Sequence, residues 1–134
     1  MTQATPDDLR HVPLLSGLDD RQLQVVASHL TAESYRSGQS IVREGDVGYS
    51  IFIIKTGRVD VTSGDRVLRQ LGPGDFFGEL GIVSPDGKRT ATVTARDDAE
   101  VWTMLGTSFR QLELDNADVA EAIQVTAQRR LSEG

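Results

Sequence analysis

From about Thr31 onward, apolar residues recur with the two-residue period of a strand, and glycine-bearing turns interrupt them about every eight residues. The apolar pieces are Tyr35, Ile41–Val42, Ile51 to Ile54, Val59 with Val61, and Val67 to Leu71. Between them stand Ser37–Gly38, Glu44–Gly45–Asp46 with Gly48, Thr56–Gly57, Ser63–Gly64–Asp65 and Gly72–Pro73–Gly74–Asp75. Tight reversals place backbone in positive φ, which glycine adopts at little steric cost, and most of the 13 glycines lie in this stretch. A chain of short strands with such punctuation folds as an antiparallel roll or sandwich.

Helical periodicity flanks the strands. In VPLLSGLDDRQLQVVASHL, Gly17 breaks the chain and Asp19 caps a helix, with Gln22 three positions later as in a capping box. Leu23, Val26, Ala27 and Leu30 then form one helical stripe, and Leu14, Leu15 and Leu18 pack on the same core. After an interruption from Phe76 to Arg89, Thr90 to Ala95 alternates, and Glu100 to Leu105 carries Val101, Trp102 and Met104. Thr107 is read as the cap of a helix through Phe109, Leu112 and Leu114. Asn116 is read as the cap of a last helix with Val119, Ala120, Ile123, Ala127 and Leu131 on one side. The expected architecture is mainly β with flanking α: an antiparallel, eight-stranded, jelly-roll-like β-roll in a single domain over 1–134. Its parts are an N-terminal helical segment (1–30), the roll (31–106) and two C-terminal helices (107–134). Trp102 and Phe76–Phe77 are expected in the core.

Composition removes several kinds of chemistry. The formal net charge is −6, so the basic surface of a nucleic-acid binder is missing. There are no cysteines, which excludes thiolate nucleophiles and cysteine zinc sites. His11 and His29 stand 18 positions apart in the N-terminal segment, with no histidine on the strands, which argues against a metal-dependent barrel enzyme. Ser16, Ser63 and Ser84 have no neighbouring histidine and acid, so a hydrolytic triad has no support. No apolar run is long enough to cross a bilayer, and the N-terminus lacks the basic and apolar regions of a signal peptide. The expectation is a cytoplasmic protein that is not an enzyme and contacts neither nucleic acid nor membrane.

The stretch richest in chemistry is GPGDFFGELGIVSPDGKRTATV, Gly72 to Val93. Leu80–Gly81–Ile82–Val83 reads as a single helical turn whose first amides are free to hold an anion. Gly78 and Gly81 allow close backbone approach, and Ser84–Pro85–Asp86–Gly87 reads as a β-turn. Glu79 and Arg89, ten positions apart, bring a hydroxyl acceptor and a bidentate phosphate partner to one loop. Read from residue types alone, two interpretations stand: an ion pair on a strand connection, or a site for a ligand that carries both a sugar and a phosphate.

The segment FGELGIVSPDGKRTATV resembles the phosphate-binding cassette of the cyclic-nucleotide-binding domain family, the β-roll of catabolite regulators and of protein kinase A regulatory subunits. That pattern runs Phe-Gly-Glu-Leu-Ala-Leu, a short loop, then Arg-Thr/Ser/Ala-Ala and a β-branched residue. Here it spans 77–91. Tyr35, Gly38, Ile41, Glu44–Gly45–Asp46 and Gly48 resemble the family's first hairpins; Gly57, Val59, Leu71 and Gly74–Asp75 continue them in order, and Thr107 to Leu131 resembles its two C-terminal helices. The resemblance implies that Glu79 accepts from the ribose 2′-hydroxyl and that Arg89 pairs with the cyclic phosphate. Amides at Gly81 and Ile82, with Gly78 beside them, complete the cradle, and Thr90 adds a hydroxyl to the phosphate or the base. Leu80 and Ala91 belong to the same ligand-binding set. Two positions depart from the pattern: Gly81 where many members have Ala, and Lys88 where many have Pro.

The function so implied is a regulatory sensor of a cyclic purine nucleotide, cAMP before cGMP, with no cofactor. The C-terminal helix, through Val119, Ile123 and Leu131, is the face that would carry the signal to an effector domain, a partner protein or a second copy in a homodimer. The sequence shows no helix-turn-helix, kinase motif or pore segment, so the expectation is a free-standing sensor or one module of a longer protein. The alternative is a structural, dimerising or partner-docking module that keeps the roll without binding.

Overall fold

A computed structural model describes residues 3–45, 50–78 and 91–133, the last four of these by backbone alone. Helix α1 (Pro6–Leu9), one turn of 3-10 helix (Pro13–Leu15) and α2 (Asp20–Ser28) lead into eight strands. These are β1 (Thr31–Tyr35), β2 (Ser40–Val42), β3 (Ile51–Thr56), β4 (Val59–Ser63), β5 (Arg66–Leu71), β6 (Phe76–Phe77), β7 (Thr92–Ala95) and β8 (Ala99–Met104). Helices α3 (Gly106–Asp115) and α4 (Ala117–Glu133) close the chain. The strands form two four-stranded sheets, β1-β8-β3-β6 and β2-β7-β4-β5, and every pairing is antiparallel. The eight-stranded roll with flanking helices is therefore as expected.

The alternation of side chains along a strand divides the interior in two. Ile51 and Ile53 of β3, Phe76 of β6, and Trp102 and Met104 of β8 face the helices, in a cluster with Leu14, Leu23, Phe109, Val119 and Ile123. Phe52, Ile54, Phe77 and Val101 point the other way, onto Val59, Val61, Leu71 and Val93 of the second sheet. The run Ile51 to Ile54 lacks polar alternation because β3 is buried on both faces. Trp102 is core, as its pattern indicated, and the Lys55 ammonium lies over its ring 5.0 Å from the centroid.

Three sequence expectations need correction. The stretch from Phe76 is not wholly an interruption: Phe76–Phe77 pairs with Ile53 and Phe52 as β6. Two residues are too short to display a period, so only the pairing reveals the strand. Thr107 does not cap α3; Leu105 holds that position without a side-chain bond, and Thr107 lies inside the first turn. Leu114 does not join Phe109 and Leu112 in the core but is 77% exposed. Within Val67 to Leu71 only Leu71 is buried, because β5 is the edge of its sheet. Arg66 and Arg69 charge that edge and discourage further pairing. The expected apolar side of α4 is borne out at Val119, Ala120, Ile123 and Ala127, whereas the side chain of Leu131 lies outside the described set.

The Asp19–Gln22 capping box is present in full. The Asp19 carboxylate accepts from the Gln22 amide at 2.8 Å, and Gln22 Oε1 accepts from the Asp19 amide at 2.9 Å. Gln22 Nε2 also donates to Asp118 Oδ2 at 3.0 Å, and this bond, before any other influence, lowers the Asp118 carboxyl below its usual range. One side chain thus caps α2 and ties it to the first turn of α4. Gln22→Ala is expected to cost about 1 kcal/mol, one cap bond and one exposed cross-link. Chemical denaturation would read this, and an unchanged midpoint would mean that water replaces both bonds without loss.

Candidate functional site

The phosphate-binding cassette read in the sequence joins the two sheets. It leaves from β6, an edge strand of the first sheet, and returns in β7, an inner strand of the second, between β2 and β4. Both ends rest on the same inter-sheet core. On the leaving side Phe77 stacks on Phe52, with ring centroids 4.9 Å apart and planes 11° from parallel. On the returning side Ala91 is partly buried against that cluster, beside Tyr35, Ile41 and Val42. Aromatic stacking, worth roughly 0.5–1.5 kcal/mol beyond area burial, holds the departure point rigid.

Gly78 follows Phe77 with φ +87°, a left-handed conformation that costs a residue with a Cβ about 1–2 kcal/mol. This is a physical reason for glycine at that position, where the chain leaves β6. Of the candidate ligand-binding residues, Gly78 and Ala91 are the two the structure describes. Glu79, Leu80, Gly81, Ile82, Arg89 and Thr90 lie outside the described residues, as do Asp46, Gly48, the helical turn, the 84–87 turn and Lys88.

The returning strand is held by a residue that the sequence reading took only for part of a turn. The Glu44 amide donates to Thr92 Oγ1 at 3.0 Å, at the first residue of β7. The β7 register continues with Val93 opposite both Val42 and Val61. Tyr35, at the end of β1, has its hydroxyl pKa raised, first by burial and then by Glu33. It stays protonated through the neutral range, and its ring serves as packing.

A groove of about 460 Å³ lies elsewhere, lined by Tyr35, Arg36, Gln39, Thr56, Asp98 and Glu100 among others. It sits at the Thr56 end of β3, about 13 Å along the strand from Phe52 at roughly 3.3 Å per residue. Its polar groups bond locally: the Arg36 amide to Gln39 Oε1 at 3.1 Å and the Ser37 amide to Asp98 Oδ1 at 2.9 Å. It lies toward the opposite end of β3 from Phe52, the ring on which Phe77 stacks. Among the described residues no cluster of histidine, aspartate or glutamate could hold a metal ion, and no helix is long and apolar enough to cross a membrane.

Residues 32–116 match the family model of the cyclic nucleotide-binding domain, and this span runs from β1 through the cassette to the end of α3. The chain belongs to the cyclic-nucleotide-binding domain family. Its similarity to a cAMP-dependent protein kinase regulatory subunit of Colletotrichum orbiculare is 34% identity over 108 residues, 79% of this chain and 27% of that protein. With the cGMP-dependent protein kinase isozyme 1 of Drosophila melanogaster it shares 36% over 132 residues, 92% of this chain and 17% of that one. Among solved structures, the regulatory domain of Toxoplasma gondii PKA with cAMP superposes with a TM-score of 0.84 at 25% identity, covering 96% of this chain and 49% of the other. The cyclic-nucleotide-binding domain described here thus spans about a quarter of the fungal regulatory subunit's length.

Proposed function

We propose that this cyclic-nucleotide-binding domain is a regulatory sensor that captures cAMP, with cGMP as the weaker ligand, and that it carries out no catalysis. The observation that carries this reading is the cassette sequence on its frame: FGEL leaves from the stacked Phe77, and RTA returns onto the same core at Ala91. Glu79 takes the ribose 2′-hydroxyl and Arg89 the cyclic phosphate. Amides of Gly81 and Ile82, beside Gly78, close on the phosphate oxygens, with Leu80 and Ala91 against the ligand and Thr90 at the phosphate or base. A carboxylate accepts from a hydroxyl and a guanidinium pairs with a phosphate, so one ligand that carries both groups satisfies both side chains. The preference for cAMP draws support from the cAMP held by the Toxoplasma regulatory domain, its neighbour in fold. Residues 1–134 act in this reading as a single domain. Helix α4, whose Val119 and Ile123 are packed on the roll, passes the signal to an effector, a partner or a second copy. It does so to the extent that the nucleotide binds its two positions unequally. The setting proposed is the cytoplasm.

Isothermal titration of the purified chain with cAMP and then cGMP tests the reading. Micromolar or tighter binding of cAMP, with cGMP weaker, supports it; no heat and no thermal shift with either nucleotide refutes it in favour of a docking module without ligand. Glu79→Ala is expected to weaken cAMP binding by about tenfold, the size of one charge-assisted hydrogen bond, and to leave the affinity for 2′-deoxy-cAMP nearly unchanged. An equal loss with both nucleotides would remove Glu79 from the ribose.

A further inference from the structure

Strand β5, Arg66 to Leu71, carries two positive charges and no negative one, in a chain whose formal net charge is −6. It is the edge of its sheet, with β4 as its neighbour, and all of it but Leu71 is exposed. The register sorts its side chains. Arg66 stands opposite Ser63 and Arg69 opposite Val61, whereas Val67 stands opposite Thr62, and Leu68 is the extra residue of a bulge. Val61 and Ser63 are two positions apart on one strand, so both arginines rise from one face with their roots about 7 Å apart. Val67 turns to the other face and is 61% exposed; Leu68 is 51% exposed. Among the described residues neither arginine takes an ion pair or a side-chain hydrogen bond, and Asp65, in the turn beside Arg66, does not pair with it. Two other carboxylates of this region are engaged elsewhere. Glu44 accepts from Ser63 Oγ at 3.4 Å and from the Gly64 amide at 3.3 Å, and Asp60 faces Arg96 at 3.7 Å.

We propose that the β5 edge is a docking surface for an extended, acidic protein segment that alternates carboxylate and apolar side chains. In an extended chain, side chains two apart share a face and stand about 7 Å from one another, which is the spacing of the Arg66 and Arg69 roots. Laid along β5, such a segment sets two carboxylates against the two guanidinia. The residue between them falls on the other face, beside Val67, with Leu68 free of the ladder to cover it. Strand addition at an open edge joins main chain to main chain, and the cross-strand side chains select the partner. The same two arginines turn away a second copy of this edge, because arginine would meet arginine. A nucleic-acid strand would satisfy the guanidinia and leave Val67 and Leu68 uncovered, and a chain of net charge −6 repels a long polyanion. Nucleotide binding is not needed for this contact, which gives the domain a partner surface apart from α4.

The probe is a short synthetic peptide that alternates glutamate and valine, labelled for fluorescence anisotropy and titrated with the whole chain at low salt. Saturable binding is expected, with β5 amides protected from hydrogen exchange. An Arg66→Glu, Arg69→Glu double variant should weaken binding by at least about tenfold, since two exposed attractions become repulsions. That variant should instead take up the matching lysine–valine peptide. Val67→Ser should weaken the acidic peptide by about threefold. Substitutions at exposed edge positions leave the melting temperature nearly unchanged, which separates lost binding from lost folding. Salt at about 0.5 M should weaken the contact severalfold. Absence of binding by the wild type, equal binding by the double variant, or protection confined to other strands would overturn the proposal. So would dimerisation of the chain through β5, or tighter binding of a single-stranded oligonucleotide than of the acidic peptide.

Discussion

Replacing Arg89 with alanine is expected to raise the Kd for cAMP by roughly thirty- to several-hundred-fold, which corresponds to about 2–4 kcal/mol. In the function proposed above, the cyclic phosphate brings one negative charge to the cassette. In that proposal the backbone amides of Gly81 and Ile82 offer dipoles to it, but the chain as a whole is acidic, with a formal net charge of −6, and contributes no favourable background field. The proposed role of Arg89 makes its guanidinium the main compensating charge, because a planar fork can address two phosphate oxygens at once. Lysine at this position should recover part of the affinity, because it restores the charge and not the fork. Titration of the wild type, Arg89→Ala and Arg89→Lys with cAMP checks this. Equal affinity in wild type and Arg89→Ala would move the phosphate away from the cassette's exit.

The second large effect is on stability. Gly57→Ala is expected to destabilise the fold by about 2–5 kcal/mol, the sum of a left-handed backbone cost and forced overpacking. Gly57 has φ +87°, and a Cβ there would come within 2.5 Å of the Asp98 carbonyl oxygen and 2.7 Å of Ala99 Cα. Neither neighbour can yield. The β7–β8 turn is pinned on one side by the Arg96 amide on the Arg58 carbonyl at 2.8 Å. On the other side it is pinned by the Ser37 amide on Asp98 Oδ1 at 2.9 Å and by Ser37 Oγ on the Arg96 carbonyl at 2.7 Å. Gly64→Ala is the matched control: φ is +58° there, but nothing lies within 4 Å of the added methyl, so about 1 kcal/mol is expected. Urea denaturation of both variants measures the difference. Similar losses at the two positions would show that the contact with Asp98 and Ala99 relaxes and that only backbone conformation matters.

Gly57 also separates what the order of residues announces from what it leaves open. Its place in a Thr-Gly turn between two apolar runs announces a reversal, but the pattern is the same as that of Ser63–Gly64, where the space is open. Turn chemistry is local, so it is written in neighbouring residues; the closeness of Asp98, forty-one positions away, is not. The same division runs through the rest of the molecule. Capping of α2 by Asp19 and Gln22, burial of Trp102, and the apolar side of α4 at Val119 and Ile123 follow from residue type and period, because each depends on residues within one or two turns or on hydrophobicity itself. The family is likewise legible, since the residues that carry the resemblance are concentrated in a single stretch, Phe77 to Ala91.

Long-range pairing supplies what residue type and period lack. The two residues of β6 are a strand because β3 offers them a partner, and Phe76 and Phe77 divide between the two cores for the same reason. The apolar Val67 and Leu68 are exposed because their strand is an edge, a property of the sheet order and of nothing in their own neighbourhood. Glu44 joins positions 63, 64 and 92 through three hydrogen bonds. Composition and period record how much surface a residue wants to bury and how its backbone prefers to turn. Which distant segment arrives to meet it depends on the order of strands in the roll, and that order emerges only when both sheets close over a common core.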